Sequence, residues 1–370
     1  MNGAPPHPSR SISGADVNIG NAIAGEEHRE TVTAPLSRLR PCGPESPRRA
    51  PLHKARESRA DEVAKPLLSS NRQPPNYHRT MFQATLYTDA ACPWAYSANP
   101  ALRVLEWRYG EQLSWRLVMI GLREDASGLI ARGYDPTRAL LGHHAFRERY
   151  GMPFGLVPKD RPAGTGRGCR AVVAARILTP GSEWRVLRAL QLANFTTPLL
   201  LDDDAAIRTA LRDAPGIEAD AIVELLDSAE VSEAYERDKA ESRSAAGTAA
   251  ESQGKTSTSD GPVRFTAPSI VFERDGTKLV AGGWQPILAY DVLIANLEPE
   301  LERNPPPEGP ELLLERFADG LTTAEVAALL AEGPDPIADL EGTERTLLDL
   351  VARADARRVS LGQDALWLSP

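Results

Sequence analysis

Residues 82–122 read as strand, helix, strand within about forty residues, and this unit constrains the fold more than any other feature of the chain. Phe82-Gln83-Ala84-Thr85-Leu86-Tyr87 alternates and is rich in β-formers. Residues 95–109 carry Ala98, Ala101, Leu102, Val104 and Leu105 at helical spacing, and residues 113–122 (LSWRLVMIGL) form a second strand. Two strands joined by one helix should be parallel, with a right-handed crossover. Pro93 suits the first turn of the helix, where its missing N–H costs nothing.

Downstream, the apolar spacing predicts helices over residues 137–150, 168–178, 182–195, 203–212 and 218–239. Residues 241–262 are rich in Ser, Gly and Thr and read as a mobile loop. Residues 269–273 and 278–281 flank Arg274-Asp275-Gly276-Thr277, a β-hairpin with an Asp-Gly turn. Gln285-Pro286 opens a helix to about residue 297, and Asn304-Pro305-Pro306-Pro307 marks a linker. The order βαβ, helical block, ββα predicts an α/β thioredoxin-like fold with a helical insertion. The expected organisation is a disordered tail at 1–80, a thioredoxin domain at 81–303 with its insertion at about 124–240, and a small α+β unit at 311–370.

Charge and composition narrow the function classes. Residues 1–80 hold 12 Lys+Arg against 8 Asp+Glu, 11 of the 31 prolines and Tyr77 as their only aromatic residue. So little apolar surface cannot offset the entropy of ordering a chain, hence the expectation of disorder. The whole chain has a formal net charge of −9, which argues against non-specific nucleic-acid binding. No apolar run approaches the ~18 residues of a membrane span, and the N-terminus shows no secretory h-region. Three cysteines cannot make a disulfide scaffold. A cytoplasmic protein without membrane or nucleic-acid partners is expected; oligomeric state has no signature here.

Cys92 sits where the first strand hands over to the first helix. Unpaired N–H groups and the positive end of the helix dipole favour a thiolate there, and thiols so placed reach pKa values of ~3.5–7.5. The alternative is a small buried core cysteine. Asp89-Ala90-Ala91-Cys92-Pro93-Trp94-Ala95-Tyr96 resembles the D-x-x-C-P-W-C-Y motif of the DsbA-like thioredoxin superfamily, in particular its FrnE-type branch. Tyr150-Gly151-Met152-Pro153-Phe154 resembles the G-x-P-F element shared with 2-hydroxychromene-2-carboxylate isomerases and kappa-class glutathione transferases. Arg170-Ala171, Thr266-Ala267-Pro268-Ser269 and Gly282-Gly283-Trp284-Gln285-Pro286 follow in the family's order, so the resemblance covers residues 81–300.

The resemblance implies Cys92 as nucleophile within an active-site motif completed by Pro93, Trp94 and Ala95. It implies a cis peptide between Ala267 and Pro268, with Ala267, Pro268 and Gln285 on the substrate side. Position 95 departs from the family: Ala95 stands where the second cysteine would be, and a single thiol can attack a disulfide but cannot resolve the product. Cys169, at the start of a later helix, is the candidate resolving thiol. His143 and His144 point about 100° apart on a helix and have no metal-spaced partners, so no metal is expected. Asp202-Asp203-Asp204 precedes a helix and reads as its cap.

Residues 321–330 and about 339–354 read as helices, and residues 358–367 as a hairpin turning at Gly362-Gln363, an outline resembling a degenerate winged helix. Residues 301–370 hold 6 basic and 14 acidic residues, which opposes phosphate contacts and predicts packing on the chain itself or on a partner. Three functions stay open. One is a DsbA-like thiol-disulfide oxidoreductase working by monothiol exchange. Another is a glutathione-dependent isomerase or transferase, and the third a catalytically inactive binding scaffold. No cofactor is expected to be tightly bound; glutathione or a glutathione-linked small molecule is the expected ligand, beside thiol and disulfide substrates.

Overall fold

The computed structural model describes residues 82–333 and 338–370; the expected tail at 1–80 lies outside the described residues. Strand β1 (Phe82–Thr88) leads into α1 (Pro93–Ser97), α2 (Asn99–Tyr109) and β2 (Leu113–Met119). The single helix expected over 95–109 is therefore two. Pro100 explains the break, because it has no N–H to give the preceding turn and its ring crowds the carbonyl there.

Helices α3 (Ser127–Ala131), α4 (Pro136–Tyr150), α5 (Gly166–Leu178), α6 (Glu183–Thr196), α7 (Asp204–Leu211), α8 (Ala219–Leu225) and α9 (Ala229–Ser242) follow. Residues 218–239, expected as one helix, divide between α8 and α9. Ser228 accepts from the Val231 N–H at 3.2 Å and starts a new helix there. Asp203 caps α7 through Ala205 and Ala206, as the acidic triplet suggested.

The stretch 241–262 does not run as a plain loop. It contains α10 (Ala249–Ser252) and β3 (Thr256–Ser257), which pairs with β4 (Arg264–Phe265). Ala245 and Ala250 are fully buried, while Asp260 ties Arg243 to Arg264. Two alanines suffice to seat the segment, and they are inconspicuous among serines and glycines.

Strands β5 (Ser269–Arg274) and β6 (Thr277–Ala281) complete a four-stranded sheet of order β2-β1-β5-β6. β1 and β2 are parallel, with Phe82 opposite Leu113; β5 is antiparallel to both β1 and β6. The hairpin turns at Asp275 and Gly276, both at positive φ (49° and 79°), a turn that Asp-Gly is suited to make. Helix α11 (Ile287–Leu297) closes the thioredoxin-like fold.

Alternation along the strands separates two cores. Phe82, Ala84, Leu86, Leu117, Met119, Ile270 and Phe272 face the main apolar cluster with α5, α6, α9 and α11. Tyr87, Val118, Val271 and Val280 face the other side, with Cys92, Ala95, Phe265 and Ala267. The thiol thus lies on the sheet face that residues 245–265 cover.

The C-terminal unit consists of α12 (Pro310–Arg316), β7 (Leu321–Thr322), α13 (Thr323–Leu330), α14 (Leu340–Ala352), β8 (Arg357–Leu361) and β9 (Asp364–Leu368), with sheet order β7-β9-β8. The hairpin turns at Gly362-Gln363 as expected. Trp367 is fully buried with Leu313, Phe317, Leu347 and Leu350, and Val104 and Trp107 of α2 pack on the same cluster. Arg188 of α6 clasps Glu325 with two hydrogen bonds of 2.5 and 2.7 Å, and Asp319 lies between Arg188 and Arg103. The unit packs on its own chain, and its acidic residues are spent in part on that contact. No helix among the described residues is long and apolar enough to cross a membrane.

Candidate functional site

Cys92 forms the N-cap of α1, with Pro93 in the first helical turn. Its Sγ donates to the carbonyl oxygen of Ala267 at 3.3 Å, and the Ala267–Pro268 peptide is cis, as the resemblance implied. The loop holding that proline is pinned twice by one side chain. Ser269 Oγ donates to Thr266 O at 2.6 Å and accepts from the Gly283 N–H at 3.1 Å. A side chain at neighbouring Gly282 would meet Lys255 Cβ at 2.7 Å, so that close approach requires glycine.

The expectation of an acidified thiol does not hold. Burial pushes the Cys92 thiol up to about 11, because a thiolate there would lie away from water. The backbone N–H groups of Ala95 and Trp94, the helix-start donors that favour a thiolate, do act to lower it, as does Arg123. They lose to burial, to which the Asp89 carboxylate adds. Cys92 is only 4% exposed and is held as a neutral S–H donor.

Ala95 is buried beside Cys92, its methyl filling the place of a second thiol. Trp94 is half-buried and meets Phe146 edge-on at 5.0 Å and Tyr150 at 5.7 Å; Tyr150 in turn meets Trp284 at 4.9 Å. These aromatic rings form a wall beside the thiol. Buried Tyr96 supports it from behind, donating to Pro153 O at 2.9 Å and stacking on Phe195. That bond explains what the Gly-x-Pro-Phe element does: it fixes the chain that presents Tyr150. Gln285, expected on the substrate side, donates to Gly282 O at 2.8 Å and closes its own turn. Trp284, one residue earlier, faces the wall instead.

Cys169 does not stand beside Cys92. It is fully buried at the start of α5 and its Sγ turns to Asp89 Oδ2 at 3.5 Å; burial and that carboxylate hold its thiol well above the usual range. The two sulfurs belong to different apolar clusters, one on each face of the sheet.

Asp89 is the residue whose role the sequence left unread. Fully buried, it accepts from the Ala91 N–H at 2.9 Å, the Leu122 N–H at 2.8 Å and Thr165 Oγ1 at 2.8 Å. It ties the Cys92 turn, the segment after β2 and the approach to α5 into one hub. Its place in the D-x-x-C motif was the available signal. His143 packs against Phe154 and Phe195, and burial lowers its pKa; it serves the core. No cluster of metal-ligating side chains occurs among the described residues. A surface groove of about 640 Å³, whose lining includes Gly121, Leu122, Glu124, Lys239, Arg243 and Asp260, adjoins the site through Leu122, and its charges pair with one another.

The DSBA-like thioredoxin domain family matches residues 83–248. No curated protein matches the chain. Among solved structures, it is similar to a candidate protein disulfide isomerase from Nitrosomonas europaea, at 16% identity over 58% of this chain and 96% of that one (TM-score 0.45). It is similar to the cytosolic disulfide reductase DsbM from Pseudomonas aeruginosa, at 19% identity over 54% and 88% (TM-score 0.39). It is also similar to a 2-hydroxychromene-2-carboxylate isomerase, at 18% identity over 58% and 95% (TM-score 0.34).

Proposed function

We propose that this chain, whose residues 83–248 match the DSBA-like thioredoxin domain family, performs single-thiol exchange with small thiols and disulfides, glutathione among them, with Cys92 as the nucleophile. The observation that carries this reading is the meeting of Cys92 Sγ with the carbonyl before cis-Pro268, at 3.3 Å. A thiol placed there reaches whatever disulfide lies along the Ala267–Pro268 backbone, which offers strand-like pairing to an extended substrate. In the exchange, Cys92 gives its proton to solvent, its sulfur forms a bond to one sulfur of the disulfide, and the other sulfur leaves as thiolate and takes up a proton. Ala95 offers no second thiol, so the mixed disulfide waits for an external thiol to release it.

The protonated state of Cys92 favours a second reading, a glutathione site in which Cys92 is not oxidised. An S–H donor can hold the thiolate of bound glutathione by a hydrogen bond, the use expected of an isomerase or transferase site. Incubation with oxidised glutathione, followed by mass spectrometry of the intact chain and of Cys92→Ala, separates the two. A persistent adduct of one glutathione, absent in the variant, supports exchange. Binding of reduced glutathione without any adduct supports the second reading, and neither result leaves the binding scaffold.

A further inference from the structure

The segment that follows β2 runs beside the Cys92 turn. Ile120 N–H donates to Thr88 O at 2.8 Å, Leu122 N–H to Asp89 Oδ2 at 2.8 Å, and the Leu122 side chain packs on the cluster that holds Cys92. Arg123 is next. Its backbone is fixed by Thr165 and Gly166: its N–H donates to Thr165 Oγ1 at 3.2 Å, and its carbonyl accepts from both backbone N–H groups at 2.7 and 3.1 Å. Its guanidinium charge adds weakly to the helix-start N–H groups that favour a Cys92 thiolate, although burial keeps the thiol protonated.

Every carboxylate near it in the chain is engaged elsewhere. Asp89 is taken by Ala91, Leu122 and Thr165. Glu124 pairs with Arg170 at 2.5 Å and accepts from Tyr235 at 3.2 Å. Asp125 accepts from the Ser127 N–H at 2.8 Å. Arg123 itself makes no ion pair and no side-chain hydrogen bond among the described residues, and its Nε is shut off from water without a partner. Arg103, Arg108, Arg167 and Arg188, by contrast, all have carboxylate partners. A half-buried guanidinium with an unmet donor carries a desolvation cost that a planar anion would relieve, since a carboxylate matches its paired N–H groups.

We propose that Arg123 anchors a carboxylate of the thiol or disulfide that Cys92 receives, so that the site selects acidic partners over neutral and basic ones. The inference rests on the thiol-site reading above, and its test is arranged to fail separately from it. The full chain is treated with three small disulfides, namely anionic dithiodipropionate, neutral hydroxyethyl disulfide and cationic cystamine, and the rate of adduct formation at Cys92 is followed by mass spectrometry.

The anionic probe should react faster than the neutral one by about tenfold, the worth of one hydrogen-bonded charge pair. In Arg123→Gln that ratio should fall to near one, and Arg123→Lys should keep part of it. Loss of the guanidinium also removes a charge that acidifies Cys92, so all rates should drop; the ratio is the readout. An unchanged ratio in Arg123→Gln overturns the anchor. If Cys92 reacts with no disulfide at all, the exchange reading falls. The anchor is then decided by calorimetry with S-methylglutathione, which has carboxylates but no free thiol. Binding weakened about tenfold in Arg123→Gln upholds it, while equal affinity, or no binding to either chain, overturns it.

Discussion

The thiol of Cys92 donates its proton to the carbonyl oxygen of Ala267, across 3.3 Å and 175 positions of sequence. The nucleophile and the backbone that would receive a substrate are therefore bonded to each other in the resting chain. Any partner that pairs with that backbone competes with the S–H for the same oxygen. The arrangement stores Cys92 as a neutral thiol, away from water and behind an aromatic wall.

The first prediction follows from that neutrality. Alkylation of Cys92 should rise about tenfold per pH unit through neutrality and turn over near pH 11, rather than level off below 8. Because folding raises this pKa from its ordinary 9.0, the contribution to stability is whole below about 9 and lost as pH rises toward about 11. Cys92→Ala should flatten that alkaline loss in thermal melts. A plateau in alkylation below pH 8 would show that the site acidifies its thiol after all.

Asp89 provides the second. Its charge raises the Cys92 thiol, so Asp89→Asn should move the alkylation midpoint downward. The amide must also turn either its oxygen or its NH2 toward the Leu122 N–H and Thr165, so one former contact is lost, costing about 1–3 kcal/mol as a buried unmet group. A variant of unchanged stability and unchanged midpoint would remove Asp89 from the site.

The third concerns the clasp of the C-terminal unit. Glu325 is fully buried; burial alone would raise its carboxyl, but Arg188 and Arg103 hold it below the usual carboxylate range. Glu325→Gln should destabilise the chain by about 1–3 kcal/mol, since it removes the buried carboxylate that Arg188 clasps and leaves Arg188 and Arg103 to share Asp319. A depressed carboxyl gives stability that is present above its unfolded value and lost as pH falls through its folded one. The wild-type melting temperature should thus drop on acidification below about 4.5, and Glu325→Gln should lose much of that dependence. Replacing Arg188 and Glu325 together by apolar residues should restore part of the loss, the outcome that separates a cost of unpaired charge from a cost of lost shape.

Much of this architecture is legible in the sequence because it rests on local periodicity. The alternation of Phe82–Thr88, the spacing of Leu102 and Leu105 and the Asp-Gly turn at Asp275-Gly276 each specify an element within a few residues. What escaped are features set by contact between distant segments. Ala245 and Ala250 order a stretch whose composition reads as loop, because two buried methyls have no periodic signature. The high pKa of the thiol lies beyond local sequence for a related reason. Helix-start donors can be read from Pro93 and its neighbours, whereas burial comes from Val118, Phe265 and Ala267, which only the fold gathers. Gln285 and Trp284 show how fine the distinction is, since one residue separates a turn closure from a wall of the site.

The last prediction tests the missing cysteine. Residues 92 and 95 lie one helical turn apart, and the Ala95 N–H already acts on the Cys92 sulfur, so a thiol at 95 would stand within reach of it. Ala95→Cys should therefore form an intramolecular disulfide on oxidation. Ala95 is 2% exposed, and a sulfur there enters a packed cluster of Val118, Phe265 and Ala267, so the reduced variant should lose about 1–3 kcal/mol of stability to overpacking. Wild type should retain a glutathione adduct after oxidised glutathione is removed and turn over insulin slowly without added monothiol. The variant should shed the adduct by internal attack and turn over without help. A folded Ala95→Cys chain that never closes the disulfide would mean that Cys92 does not leave its bond to Ala267, and the binding scaffold would then be the better description.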